Sequence, residues 1–131
     1  MAQRSLLVVD DDEAWRKLMV RFLGGAGYKT HTAATCAEGV RSAEIHRPDC
    51  ILLDFHLTDG DAVSVCAALR ANKGIKTPPI IIVSSDPEAE LAAYAECRAA
   101  GFVLKGSKPL ARLPAIIEKI LCPGSLAPSD D

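Results

Sequence analysis

The sequence has few features of a metal-binding or disulfide-rich protein. Its five cysteines are scattered, with no pair at the CxxC spacing: Cys36, Cys50, Cys66, Cys97 and Cys122. Without that spacing they are not predicted to bind a metal, and their mostly apolar or helical surroundings suit small buried side chains. We therefore expect these thiols to be reduced.

The chain also lacks an excess of positive charge and a long hydrophobic run. Its net charge is −2 and its pI is about 5.9, so no basic field favours direct binding of nucleic acid. No apolar run approaches the ~20 residues that span a bilayer, and the N-terminus lacks the pattern of a signal peptide. These absences predict a cytoplasmic protein that binds neither membranes nor nucleic acid directly.

Short apolar runs are present instead, and they predict five strands. Runs without polar alternation, at 6–9, 50–53, 80–83 and 102–104, suit strands that are buried on both faces. The segment 28–33 alternates and contains threonine, which suits a strand with one less buried face. Such strands are typical of a parallel sheet that helices cover on both sides.

Segments with helical spacing lie between these runs. Trp15, Leu18, Met19 and Phe22 follow the i, i+3, i+4, i+7 pattern of an amphipathic helix, and glycines end that segment. Asp12 precedes it and is predicted to be its N-cap. The remaining predicted helices cover 36–46, 62–71, 87–100 and 113–121, the last with Pro114 in its first turn.

Strand and helix therefore alternate five times, which predicts an α/β fold with a doubly wound, five-stranded parallel sheet. At 131 residues the chain is long enough for one domain with its own core. We assign the domain to residues 1–122 and expect 123–131, rich in Pro, Ser and Asp, to be a flexible tail or linker. In such folds the ligand site lies beyond the carboxyl ends of the strands.

Carboxylates follow two of the predicted strands at that edge. Asp10 and Asp11 come directly after the first strand and Asp54 directly after the third, so we expect them to converge. Carboxylates that lie so close repel one another unless a hard cation neutralises them, and oxygen ligands suit Mg²⁺. Ser84 and Lys105 follow the fourth and fifth strands and add a hydroxyl and an ammonium group. An acceptor oxygen, a divalent cation and donors to the transferred oxygens are what phosphoryl transfer requires.

Four stretches in this order resemble the receiver domains of response regulators. The stretches are 7–12 (LVVDDD), 48–54 (PDCILLD), 79–85 (PIIIVSS) and 101–105 (GFVLK). The resemblance covers roughly residues 4–121 and implies a flavodoxin-like (βα)₅ fold with strand order 2-1-3-4-5. It also implies a phosphorelay, in which a histidine kinase or a histidine phosphotransfer protein is the donor and a downstream protein is the effector.

The resemblance implies a role for each residue of the site. Asp54 would be the phosphorylated aspartate, and the metal site would comprise Asp10, Asp11, Asp54 and the backbone carbonyl of His56. Ser84 and Lys105 would contact the phosphoryl group, and Ser84 would act with Phe102 as the conformational switch. The domain would catalyse its own phosphorylation and dephosphorylation without being a multiple-turnover enzyme.

Three positions depart from the usual receiver pattern: Thr58 and Ala62 replace a proline and a glycine of the loop after Asp54, and Gly106 replaces the proline after Lys105. Lys105 is favoured over Lys108 as the site lysine, because placing Lys108 at the site would leave the fifth strand three residues too long. His56 and Asp86 flank the site, where they could tune access of water to the phosphoryl group.

Two other functions are compatible with parts of the sequence. Asp10 and Asp12 after a strand also resemble the start of the haloacid-dehalogenase pattern, in which they would be the nucleophile and acid/base of a Mg²⁺-dependent phosphohydrolase. The three departures also leave open a receiver-like interaction module that signals without phosphate. A homodimer is left open, and the identity of the kinase, the output partner and the phosphoryl lifetime are not predicted.

Overall fold

The computed structural model describes residues 3–122, except for the side chains of 107–109. The predicted tail, 123–131, lies outside the described residues. The strands are β1 (Ser5–Val9), β2 (Lys29–Ala33), β3 (Cys50–Leu53), β4 (His56–Leu57), β5 (Gly60–Asp61), β6 (Ile80–Ser84) and β7 (Gly101–Leu104). The α-helices are α1 (Glu13–Gly25), α2 (Cys36–His46), α3 (Ala62–Ala71), α4 (Glu90–Ala95) and α5 (Ser107–Leu121), and a 3₁₀ turn at Pro87–Ala89 precedes α4.

Five strands form one parallel sheet in the order β2-β1-β3-β6-β7. Counted among the sheet strands alone, this is 2-1-3-4-5, so the predicted doubly wound, flavodoxin-like fold is confirmed. β2 lies at an edge, as its alternating sequence indicated, and its residues are more exposed than those of β1 or β3. No helix in the described part of the chain is long and apolar enough to cross a membrane.

The central strands β1, β3 and β6 are buried on both faces because they carry apolar side chains at nearly every position. Alternate residues of one face, such as Leu7, Ile51 and Ile82, pack against residues of α2, α3 and α4. Those of the other face, such as Val8 and Leu52, pack against residues of α1 and α5. Each fully buried aliphatic side chain contributes about 1.5–3 kcal/mol to folding.

The first helices begin and end close to where the sequence predicts. Asp12 is the N-cap of α1, where its side chain accepts hydrogen bonds from the backbone N–H groups of Ala14 and Trp15. These bonds satisfy two donors that a helix start leaves without partners. The prediction that Asp12 is a helix cap is therefore confirmed.

The fourth helix is shorter than the predicted 87–100. After α4 the chain turns at Arg98, which adopts a left-handed conformation with φ 54°, and Ala99 N donates to Ala93 O at 3.0 Å. A left-handed residue just after the last turn is a common way for a helix to end. Arg70 of α3 donates to the backbone carbonyl of Cys97 at 2.6 Å. In a longer helix, that carbonyl would instead accept a hydrogen bond from a backbone N–H of the helix.

The fifth helix begins six residues earlier than the predicted residue 113. Pro114 consequently lies inside α5 instead of in its first turn. The apolar stripe begins at Leu110 and continues through Leu113 and Ile117, both fully buried. This packing offsets the missing proline N–H.

Candidate functional site

Three carboxylates converge at the carboxyl edge of the sheet. Val9 of β1 and Leu53 of β3 are register partners, so the residues that follow them, Asp10 and Asp54, emerge side by side. One oxygen each from Asp10, Asp11 and Asp54 lies within 4.8 Å of the others. Asp10 and Asp54 are 1% and 8% exposed, whereas Asp11 is open to solvent. The predicted convergence of these acids is present in the structure, and the oxygen donors suit a hard divalent cation.

Lys105 supplies positive charge to this cluster from the end of β7. Its Nζ lies 2.8 Å from Asp10 Oδ2 and 3.5 Å from Asp54 Oδ2. The ammonium group is also 5.1 Å from the centroid of the Trp15 ring, a cation–π contact that the sequence does not predict. Burial lowers the pKa of Lys105, but the hydrogen bond to Asp10 and the charge of Asp54 outweigh it and leave the pKa raised. Lys105 therefore stays charged at neutral pH.

The environment of Asp54 disfavours its ionised form. Burial raises the pKa of Asp54 to about 6, and the neighbouring charge of Asp10 adds to this effect, while Lys105 opposes it. The carboxylate is consequently held close to other negative charge in a partly dry position. A cation near Asp54 would relieve this repulsion.

This raised pKa predicts how stability varies with pH in the absence of divalent cations. The folded-state pKa of Asp54 is about 6, above its ordinary value of 3.8. Protonated Asp54 therefore adds its full contribution to the free energy of unfolding below pH 3.8, and this contribution is lost as the pH rises through 6. We therefore expect Asp54→Asn to be more stable than the wild type at pH 7.5, by about 2 kcal/mol. Urea denaturation between pH 4 and 8 should show the difference shrinking on the acid side, and a constant difference would contradict the assigned cause.

Ser84 ends β6 at the same edge and is 1% exposed. Its Oγ accepts a hydrogen bond from the backbone N–H of Asp86 at 3.1 Å. Phe102, in the middle of β7, is partly buried and packs against the core on the α2–α4 side of the sheet. Lys105 N donates to Ser84 O at 2.9 Å, so the ends of β6 and β7 are joined directly behind the acid cluster.

His56, the first residue of β4, contacts Asp86 with its side chain. Its Nε2 lies 3.0 Å from Asp86 Oδ2, in a pair whose side chains are 63% and 40% exposed. The hydrogen bond from His56 lowers the pKa of Asp86. The two flanking residues singled out in the sequence are thus in contact with each other.

The receiver family model matches residues 6–118 of the chain, which is most of its length and includes every residue of this site.

This chain belongs to the response regulator receiver domain family.

Known relatives agree with this assignment. The receiver domain is 32% identical to the alkaline phosphatase synthesis transcriptional regulatory protein PhoP of Bacillus subtilis, over 98% of this chain and 55% of PhoP. It is 30% identical to the DNA-binding response regulator MtrA of Mycolicibacterium smegmatis, over 83% of this chain and 46% of MtrA. The chain thus spans about half the length of these relatives.

Solved structures of similar proteins share the fold over nearly the whole chain. The chemotaxis protein CheY4 of Vibrio cholerae has a TM-score of 0.81 at 27% identity and covers 92% of this chain and 100% of its own. A two-component response regulator of Clostridium difficile has a TM-score of 0.79 at 25% identity and covers 91% and 96%. Receiver domains are the signalling domains of two-component systems, which work with histidine kinases, and they bind Mg²⁺ at an acidic pocket.

Residues outside the predicted site also shape this receiver domain. Arg16 of α1 donates from Nη1 to the backbone carbonyl of Asp10 at 2.7 Å, and Asp10 Oδ1 accepts from Asp12 N at 2.9 Å. Both contacts fix the turn that carries Asp10 and Asp11. The Arg16 contact was missed because a single arginine on a helix gives no signal in the sequence.

The β4–β5 hairpin was also missed, and it contains the unusual loop after Asp54. Asp59, at its tip, accepts hydrogen bonds from Cys36 N at 2.7 Å and Ala37 N at 3.2 Å. Asp59 therefore caps the start of α2 from a distant loop. This contact anchors the hairpin turn that has Thr58 where the family usually has proline. Ala62, where the family usually has glycine, begins α3.

Removing this cap should destabilise the domain modestly. Asp59→Ala leaves two helix N–H groups without their acceptor, and we expect a melting midpoint a few degrees below that of the wild type. Asp59→Asn should retain part of the stability, because its single amide oxygen can accept one of the two N–H groups. Thermal denaturation by circular dichroism would measure both variants, and equal midpoints for the alanine variant and the wild type would contradict the anchoring role.

Proposed function

We propose that this receiver domain accepts a phosphoryl group from a phosphohistidine onto Asp54 and transmits the signal by a conformational change. The observation that carries the proposal is the position of the Asp54 carboxylate, which lies beside Asp10, Asp11 and the ammonium group of Lys105. This arrangement combines an acceptor oxygen with a place for a divalent cation and a fixed positive charge. Membership of the receiver family supports the same reading.

In the proposed reaction an ionised Asp54 oxygen attacks the phosphorus atom. A P–O bond forms while the P–N bond to the donor imidazole breaks, and the electron pair of that bond stays on the imidazole nitrogen, which is then protonated. Asp54 must be ionised to act, and with a pKa of about 6 it is mostly so at neutral pH. The chain itself positions the groups, and no separate enzyme is required for the transfer.

Mg²⁺ fits the donor set of the site, which consists of carboxylate oxygens with room for further ligands. Asp10, Asp11 and Asp54 would hold it, and the resemblance adds the backbone carbonyl of His56. Bound there, the ion supplies positive charge that neutralises the transferred oxygens. Lys105 lies close enough to Asp54 for its ammonium group to pair with a phosphoryl oxygen on that residue.

The switch in this proposal consists of Ser84 and Phe102. Ser84 would turn its hydroxyl toward the phosphoryl group, and Phe102 on the neighbouring strand would change its packing, which shifts the population between two conformations. The donor is proposed to be a histidine kinase or a histidine phosphotransfer protein, and the output a protein effector. MtrA is named as DNA-binding, but no direct contact with nucleic acid is proposed for this chain.

The phosphohydrolase alternative receives less support from the geometry. That reading needs Asp12 as a general acid/base, whereas its carboxylate accepts two helix N–H groups. The interaction module that works without phosphate keeps the same fold and differs only in its chemistry. An assay of phosphorylation therefore separates it from the proposed function.

Intact mass spectrometry tests the proposal on the purified chain. Incubation with Mg²⁺ and phosphoramidate or acetyl phosphate should add one phosphoryl group, and excess EDTA should prevent the addition. Hydroxylamine treatment should remove the group, because an acyl phosphate is cleaved by this nucleophile. Absence of any mass gain in Mg²⁺, with the fold intact by circular dichroism, would favour the interaction module.

A further inference from the structure

Asp86 accepts a hydrogen bond from Ala89 N at its backbone carbonyl, at 3.1 Å, and three further hydrogen bonds join the site to the start of α4. Its backbone N–H donates to Ser84 Oγ at 3.1 Å, and its Oδ1 accepts from Glu88 N at 2.9 Å. Its Oδ2 bonds His56 Nε2 at 3.0 Å. One residue thus contacts the proposed switch hydroxyl, the 3₁₀ turn before α4 and the hairpin that follows the acceptor.

These three contacts come from both sides of Asp54. His56 lies two residues after Asp54, at the start of β4, and Ser84 lies at the end of the neighbouring strand β6. The His56–Asp86 pair therefore closes a bridge between two loops that are otherwise separate in the sequence. It spans the edge of the sheet where the phosphoryl group would be attached.

The start of α4 depends on Asp86 for its side-chain cap. α4 has only six residues, and its N-cap residue, Ala89, makes no side-chain cap bond. The cap is instead the Asp86 carboxylate, which acts on the preceding 3₁₀ turn. α4 also presents Leu91 and Tyr94, which are 79% and 46% exposed, so a movement of this helix changes an apolar part of the surface.

We propose that Asp86 is a positioning residue that holds the unphosphorylated conformation of α4 through its bond to His56. The inference rests on the proposed phosphorylation of Asp54. When Ser84 turns its hydroxyl toward a phosphoryl oxygen, Oγ moves away from the N–H of Asp86. The turn at Asp86 then loses the bond that its N–H makes, the bridge to His56 opens, and α4 shifts. The strength of this bridge sets how much of the active conformation is present before phosphorylation.

The expected size of the effect follows from the exposure of the bridge. A solvent-exposed pair of this kind changes an equilibrium by a factor of about two to five. Breaking it should raise the ratio of active to inactive conformers by that factor, and the same factor should appear as tighter binding of beryllium fluoride, which occupies the phosphoryl position.

Variants can separate the bridge from the helix cap. Asp86→Ser keeps a side-chain acceptor for Glu88 N, since serine is a good N-cap, but is too short to reach His56. His56→Ala removes the other partner and leaves its backbone carbonyl in place. Asp86→Asn is the conservative variant, because its amide can both cap the turn and bond the imidazole. Glu96→Gln, an exposed acid just beyond α4, is the matched control for loss of one negative charge.

NMR spectroscopy of the ¹⁵N-labelled full chain in Mg²⁺, with and without beryllium fluoride, measures the two populations from the amide shifts of residues 91–95 and 102. Asp86→Ser and His56→Ala should each move the free spectrum along the line toward the beryllium fluoride spectrum. The double variant should move it no further, because both changes remove one bond. Asp86→Asn and Glu96→Gln should stay near the wild type.

Unchanged shifts in both single variants, or additive shifts in the double variant, would overturn the inference. If the variants give either of these results while the wild type still gains a phosphoryl group in the mass assay, only the role of Asp86 is rejected and the proposed function stands. A wild type that gains no phosphoryl group overturns the proposed function and this inference with it.

Discussion

Asp54→Asn is expected to abolish phosphorylation of the chain while leaving its fold intact. The amide has no ionised oxygen to attack phosphorus, and it is similar in size to the carboxylate that it replaces. Incubation of the variant with Mg²⁺ and phosphoramidate should therefore give no mass gain under conditions in which the wild type is fully converted. The expected effect is a complete loss of signal, the largest that any single substitution should produce here.

Asp12→Asn is the matched control, since it makes the same chemical change at a neighbouring acid. Asp12 caps α1, and asparagine serves equally well at that position. The control should be phosphorylated like the wild type. Normal labelling of Asp54→Asn would disprove the assignment of the acceptor, and loss of labelling in both variants would place Asp12 in the reaction.

Lys105→Met is expected to have the largest effect on stability when divalent cations are absent. Methionine keeps most of the apolar stem but removes the ammonium group, which lies 2.8 Å from an Asp10 carboxylate that is 1% exposed. Removing one partner of a buried ion pair leaves the other charge unpaired, and we expect a loss of about 3 kcal/mol. Urea denaturation in EDTA at pH 7.5 measures this loss.

Mg²⁺ should restore more stability to Lys105→Met than to the wild type, because it replaces the missing positive charge and binds only the folded chain. The variant should also respond less to phosphorylation, since no ammonium group would pair with the phosphoryl oxygen. Lys17→Met is a suitable control. Lys17 forms an exposed pair with Glu13 at 3.4 Å, and loss of such a pair has little effect. A Lys105→Met variant as stable as the wild type in EDTA would contradict the conclusion that Lys105 neutralises the buried Asp10 carboxylate.

Much of this molecule was predictable because its local signals agree with its tertiary structure. The runs at 6–9, 50–53 and 80–83 are apolar at every position, as expected of strands that are covered on both faces. Each run lies within an observed strand. The acids at Asp10 and Asp54 follow such runs directly. The edge they share follows from the parallel sheet, so their proximity could be predicted without coordinates.

Errors arose where a distant contact determines the local structure. The left-handed turn at Arg98 and the bond from Arg70 end α4 early, although the sequence there continues a helical pattern. α5 extends through Pro114 because Leu110 packs against the core. The hairpin after Asp54 was not predicted, since two-residue strands have no periodicity.

The sequence by itself determined the parallel α/β fold and placed the carboxylates, the hydroxyl and the lysine at the strand ends, because these depend on local hydrophobicity and on the direction of the strands. Only the tertiary structure decided which of these groups touch. Lys105 lies nearer to Asp10 than to Asp54, Asp59 caps a helix 23 residues earlier in the chain, and His56 bonds Asp86. Each contact joins segments that are far apart in the sequence, and such pairings depend on how the loops pack around the finished sheet.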